Sequence, residues 1–107
     1  MSYREYRLIN KLKNHVGRGN AIPGDQLCKE LGFKDTRALR EVVEGLRKEH
    51  LPIMSLPGVG YWWPMSWGED EHHCINNLRD MGKKFFWAAE GAEKGLKEEF
   101  GDQRVLF

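Results

Sequence analysis

No run of apolar residues in this chain approaches the roughly 20 needed to cross a bilayer, so the sequence carries no membrane span. Cysteine is scarce as well. Cys28 and Cys74 are the only two, and the expectation is a pair of reduced thiols, with a disulfide between them the less favoured alternative. The opening MSYREYRLINKLKNH is charged from its fourth residue and lacks an apolar signal core, which leads to the expectation of a cytoplasmic protein. Net charge is nearly absent: a formal +1 does not by itself announce a nucleic-acid binder. Repeats, low-complexity tracts, nucleophile motifs and phosphate-cradling glycine loops are also missing, so the chain is expected to be neither an enzyme nor a cofactor carrier, with no small-molecule substrate evident.

What is present is an ordinary globular composition, 40% hydrophobic and 31% charged, in 107 residues. That is about one domain, large enough to bury a modest core without staples. The small net charge conceals an asymmetry. Residues 1–65 hold 11 Lys+Arg against 7 Asp+Glu, or +4, whereas residues 66–107 hold 6 against 9, or −3. The first part has the sign that attracts phosphate.

Periodicity divides the chain into elements. Tyr6, Ile9, Leu12 and Val16 recur at spacings of three and four, predicting a helix over 3–16 that the GRGN cluster at 17–20 ends. Ala21 and Ile22 suit a very short strand. A second helix is expected over 24–31 with Leu27 and Leu31 inward and Gly32 as its C-cap. Asp35 or Thr36 can cap a third helix reaching about Glu49, whose inward stripe is Leu39, Val42, Val43 and Leu46. Pro52 blocks continuation, and Ile53–Leu56 and Val59–Trp63 then read as strands around Pro57-Gly58. Alternation along Tyr61-Trp62-Trp63 sends one or two of these rings into the core.

Three helices followed by a hairpin are the layout of a winged helix, mainly α with a small β-hairpin. The residues resemble the N-terminal DNA-binding domain of biotin-repressor-type proteins and the small winged-helix proteins of bacteria and phages. The likeness rests on Ile9 and Leu12, on Leu27 with Leu31-Gly32, on Arg37, Leu39, Val42 and Leu46-Arg47, on Pro52-Ile53 and on Pro57-Gly58-Val59-Gly60-Tyr61, about half the chain. It implies a winged-helix domain over 1–65 that binds double-stranded DNA in a sequence-specific way, as a small regulator of transcription or replication. Nothing after Met65 resembles a ligase, so that activity is not implied. The wing position often basic in such proteins is Val59 here.

If the third helix enters a major groove, the face opposite its apolar stripe carries Arg37, Arg40, Glu41, Glu44 and Lys48, with Lys34 and Thr36 at its start. Arg37 and Arg40 suit guanine O6/N7, Glu41 suits cytosine N4, and Lys34 or Thr36 suits phosphate. The same spacing also suits solvated i,i+4 pairs, Arg37 with Glu41 and Arg40 with Glu44. Arg18, Lys29 and Arg47 are candidates for the phosphate backbone. Glu71-His72-His73-Cys74 looks metal-binding by composition, but adjacent helical residues point about 100° apart and no His or Cys follows at i+4, so no metal site is expected.

Beyond Pro64, Ser66-Trp-Gly-Glu69 has capping-box spacing at the head of a long helical segment. Ile75, Leu78, Gly82, Phe85, Ala89, Ala92 and Leu96 alternate spacings of three and four, a heptad-like seam that requires a partner. The leading expectation is a homodimer paired through Ile75, Leu78, Phe85, Ala89 and Leu96. The alternatives are a heterologous helix, which would make the chain a protein-interaction module, and folding back onto the chain's own domain. Ala88, Gly91, Ala92 and Gly95 form a small-residue patch that would let another helix approach closely, and the two glycines are also where the helix would break.

Overall fold

The computed structural model describes residues 1–101, with the side chains of residues 83–86 excepted. Helix α1 spans Tyr3–Leu12, α2 Gly24–Leu31 and α3 Thr36–Lys48; strands β1, Met54–Leu56, and β2, Gly60–Trp62, form an antiparallel hairpin; α4, Glu69–Asp80, and α5, Lys83–Phe100, follow. The protein is mainly helical with one small two-stranded sheet.

Local chemistry sets each boundary. Ser2 and Glu5 form a reciprocal capping box on α1, with Glu5 N–H donating to Ser2 Oγ at 3.2 Å and Ser2 N–H to Glu5 Oε1 at 2.9 Å. That helix stops at Leu12 rather than Val16, because a single 3-10 turn at Arg18–Asn20 and a bridge from Val16 to Trp63 take over. Gly32 ends α2 at φ 76°, and the Asp35 carboxylate accepts from Ala38 N–H at 2.8 Å to start α3. Helix α3 closes through His50 at φ 71°, with Leu51 N–H returning to Leu46 O at 3.1 Å ahead of Pro52.

The hairpin register pairs Met54 with Trp62, Ser55 with Tyr61 and Leu56 with Gly60. Ile22 exchanges both backbone hydrogen bonds with Tyr61, at 2.8 and 2.9 Å, so the short strand expected at Ala21-Ile22 is a single bridge on the outer edge of β2. Only glycine fits opposite it: a Cβ at Gly60 would lie 2.4 Å from Ile22 O.

Two apolar clusters lie on either face of the hairpin. One joins Leu8, Leu12, Leu27, Leu39, Val43, Leu46, Ile53 and Trp63 between α1, α2 and α3. The other joins Met54, Leu56, Trp62 and Trp67 to Cys74, Ile75 and Leu78 of α4 and Ala89, Ala92 and Leu96 of α5. Strand alternation thus sends Trp62 and Trp63 into opposite clusters. The boundary expected after residue 65 does not separate two cores, because the hairpin belongs to both.

The C-terminal seam is corrected in the same way. Its Ile75, Leu78, Ala89 and Leu96 are buried inside the chain, so they present no surface for self-association; Phe85 lies outside the described side chains. The stripe folds back because Gly82, at φ 96°, turns the chain between α4 and α5 and lays one half of the seam against the other. Arg79 of α4 reaches Glu90 at 2.8 Å and Glu93 at 2.6 Å on α5, clasping the pair. Gly91 and Gly95 remain helical and buried. A Cβ on them would lie 1.8 Å from Arg47 O and 2.2 Å from His50 O, so the small-residue patch admits a close neighbour, and that neighbour is the end of α3 and the turn after it in the same chain.

The capping box expected at Ser66 does not form: the N-cap of α4 is Gly68, two residues later, which has no side chain to accept from the first turn. Gly68 starts α4, and Glu71 Oε1 accepts its N–H at 3.0 Å. The expected tail beyond Gly101 lies outside the described residues.

Candidate nucleic-acid interface

Helix α3 packs Leu39, Val43 and Leu46 inward, and α5 crosses its C-terminal half at backbone contact. What remains open is the N-terminal half. Lys34, Thr36, Arg37, Arg40 and Glu41 are all exposed there. Arg37 Nε stands 3.5 Å from Glu41 Oε1, with the two side chains 82% and 68% exposed, a solvated pair worth a few tenths of a kcal/mol that a stronger anion readily displaces. Arg40 and Glu44 have the same spacing but do not pair. Instead they line one side of a cavity of about 280 Å³ that Leu56 and Tyr61 of the hairpin and Leu78 and Met81 of α4 close from the other side. Burial pushes the Tyr61 phenol up, so it stays protonated beside Arg40.

Lys29 comes together with Lys34 and Thr36 around a shallow cleft at the turn between α2 and α3, with Cys28 and Phe33 at its base. Burial, then the carboxylates of Asp25 and Asp35, push the Cys28 thiol up, which keeps it an inert apolar group. Arg4, on α1, stacks its guanidinium over Phe33 at 5.0 Å and adds a cation to this rim. Sequence reasoning missed Arg4, since only the docking of α1 on the turn brings it there; its place on the polar face of α1 was the available signal.

Two candidates are placed elsewhere. Arg18 Nη1 is held by Asp70 Oδ1 at 3.1 Å, which ties the 3-10 turn to the start of α4. Arg47 is a clear correction: it is 3% exposed, donating from Nε to Ile53 O at 2.7 Å and from Nη2 to Ser55 Oγ at 2.9 Å. It lies four residues after Val43 and eight after Leu39, which puts it on the buried stripe. Its role is to bind the end of α3 to β1, and it is not available to phosphate.

The residues of the metal-like run diverge. Glu71 Oε2 accepts from Trp62 Nε1 at 3.0 Å, His72 Nε2 accepts from Trp67 Nε1 at 3.1 Å, Cys74 Sγ accepts from Ser55 N–H at 3.4 Å, and His73 is exposed. Glu71, His72 and Cys74 serve the docking of α4.

The hairpin tip, Pro57-Gly58, is exposed beside this face, and Val59 is half-buried against the second cluster. Among the described residues no helix is long and apolar enough to cross a membrane. Comparison of the chain with models of known protein families, with characterised proteins and with solved structures finds no significant match.

Proposed function

We propose that this chain binds double-stranded DNA as a winged helix, in the manner of a small bacterial or phage regulator of transcription or replication. The reading is carried by one observation: α3 is clamped along its C-terminal half and keeps an open N-terminal half bearing Lys34, Thr36, Arg37, Arg40 and Glu41 beside an exposed hairpin tip. A rigid helix with one free polar face is what the major groove accepts. Arg37 and Arg40 are the base-reading pair in this arrangement, and Lys29, Lys34, Thr36 and Arg4 sit where the flanking phosphates would run. Arg47 and Arg18 are not part of it. Nor is a dimer through the C-terminal stripe, so one chain would meet one short stretch of duplex. The reading as a module that captures a partner helix on that stripe loses its surface for the same reason.

A salt series of fluorescence polarisation on duplex DNA tests this. With three to five phosphates engaged, log K should fall with log salt at a slope of about −3 to −5. Arg37→Ala with Arg40→Ala should weaken specific binding by about 1 to 3 kcal/mol per lost base contact while changing stability by less than about 0.5 kcal/mol per site. Duplex affinity that is absent at low salt, or unmoved in the double variant, rejects α3 as the reading element.

A further inference from the structure

The protein has four tryptophans, and they divide sharply. Trp62, Trp63 and Trp67 are buried, whereas Trp87 on α5 is 67% exposed. Trp87 lines a cleft of about 320 Å³ with Lys48, His50, Glu90, Gly91 and Lys94. Two of its polar groups have partners, Glu90 with Arg79 at 2.8 Å and His50 with Glu98 at 3.2 Å. Lys48 and Lys94 have no carboxylate within ion-pair distance among the described residues, so two ammonium groups without an ion-pair partner line the cleft together with the Trp87 ring. No other large apolar side chain described lines the cleft. That surround suits a flat, polar-edged ring on an anionic backbone better than the greasy centre of a protein contact.

Lys48 lies eleven residues after Arg37, which at 100° per residue returns it to the same outward face of α3, about 16 Å along the axis. The outward side of α3 that carries Arg37 therefore ends, at Lys48, beside the Trp87 cleft. We propose that this cleft binds unpaired nucleotides of single-stranded DNA, a base stacking on Trp87 with its flanking phosphates on Lys48 and Lys94. Where a duplex lies on the N-terminal half of α3, the cleft then receives a strand that leaves it, giving preference for a duplex with a single-stranded extension. The junction preference rests on the duplex reading above; the single-strand contact does not.

All four indoles emit, but only Trp87 is exposed, so quenching by a ligand that is lost in Trp87→Ala reports on that ring. The full-length protein is titrated with short oligo(dT), with a blunt duplex and with the same duplex carrying a dT overhang. Oligo(dT) should quench the exposed indole, the overhang should tighten duplex binding, and Trp87→Ala should abolish the quenching and weaken oligo(dT) binding between about fivefold and a hundredfold. Lys48→Ala with Lys94→Ala should weaken it too and flatten its salt dependence by about one to two units. All three positions are exposed, so the variants should unfold as the parent does. No emission change with oligo(dT) together with no gain from the overhang overturns the proposal, as does oligo(dT) affinity unchanged by Trp87→Ala. Binding of the blunt duplex with nothing added by the overhang sinks this inference alone. Quenching by oligo(dT) with no duplex binding upholds the cleft and sinks the duplex reading instead.

Discussion

The two apolar clusters on either side of the hairpin are assembled from different materials. Between α1, α2 and α3 the filling is side chain on side chain, Leu8, Leu12, Leu27, Leu39 and Leu46 around Ile53 and Trp63. Against α5 the filling includes its absence: Gly91 and Gly95 let α5 rest on the backbone carbonyls of Arg47 in α3 and His50 just after it, while Trp62, Trp67 and Met54 supply the bulk of the second cluster. A core of branched side chains adjusts to small changes by repacking. A backbone contact has nothing to rotate away, so it is the less forgiving of the two. The rigid side is also the one that fixes the C-terminal half of α3 and leaves its other half open.

Removing the second cluster altogether is the strongest way to break this comparison. A chain ending at Met65 would expose Met54, Leu56 and Trp62, each worth about 2 kcal/mol of burial, and those losses together rival the 5 to 15 kcal/mol that hold a typical domain together. The shortened chain should show no cooperative urea transition. A sharp two-state transition with native helical circular dichroism would mean that the first cluster stands alone.

Gly91→Ala attacks the backbone contact itself. Alanine is the better helix former by about 1 kcal/mol, yet its methyl would sit 1.8 Å from Arg47 O, and separating α3 from α5 should cost about 3 kcal/mol net. Leu27→Val in the first cluster, by contrast, should cost about 1 kcal/mol. Urea midpoints decide it: if Gly91→Ala is neutral or stabilising, the close approach is not real.

The same contrast explains what was legible in the sequence. The limits of α2 and α3 follow from residues adjacent to them, Gly32 in the left-handed conformation and Asp35 as a cap, so they could be read locally. The fold-back could not. A repeat of threes and fours through Ile75, Leu78, Gly82, Phe85, Ala89, Ala92 and Leu96 is the same string whether the helix runs straight or turns at Gly82, because the periodicity fixes which face is apolar and not what covers it. Gly82 fitted the repeat as a small seam residue and is in fact the turn. The open face of α3 was legible, since Arg37, Arg40 and Glu41 stand opposite Leu39 and Val43. Arg47 was misplaced because charge was weighed above its four-residue spacing from Val43. The Trp87 cleft depends on Lys48 and Lys94 meeting across two helices, which no local pattern contains.

Arg47→Met sharpens the distinction between the clamp and the open face at a smaller cost. Methionine keeps the stem and removes a buried charge, which favours it, but Ile53 O and Ser55 Oγ lose their donor. The balance should be about 1 kcal/mol of lost stability with duplex affinity and its salt slope unchanged. A salt slope shallower by about one unit would return Arg47 to the phosphate contacts.

The smallest effect is expected at the hairpin tip, where the two clusters end and the open face begins. Val59 packs partly on the second cluster, and its N–H returns to Leu56 O at 3.1 Å within a loop whose Pro57 and Gly58 are exposed. Val59→Lys would keep the stem of the new side chain along that apolar edge and carry its ammonium out past Gly58, so stability should fall by no more than about 0.5 kcal/mol. If the tip flanks a duplex lying on α3, the added cation should engage one more phosphate and steepen log K against log salt by about one unit, tightening binding to any sequence alike. An unchanged slope in the same polarisation series would place the tip away from the DNA backbone, and recognition would then fall to α3 and the turn before it alone.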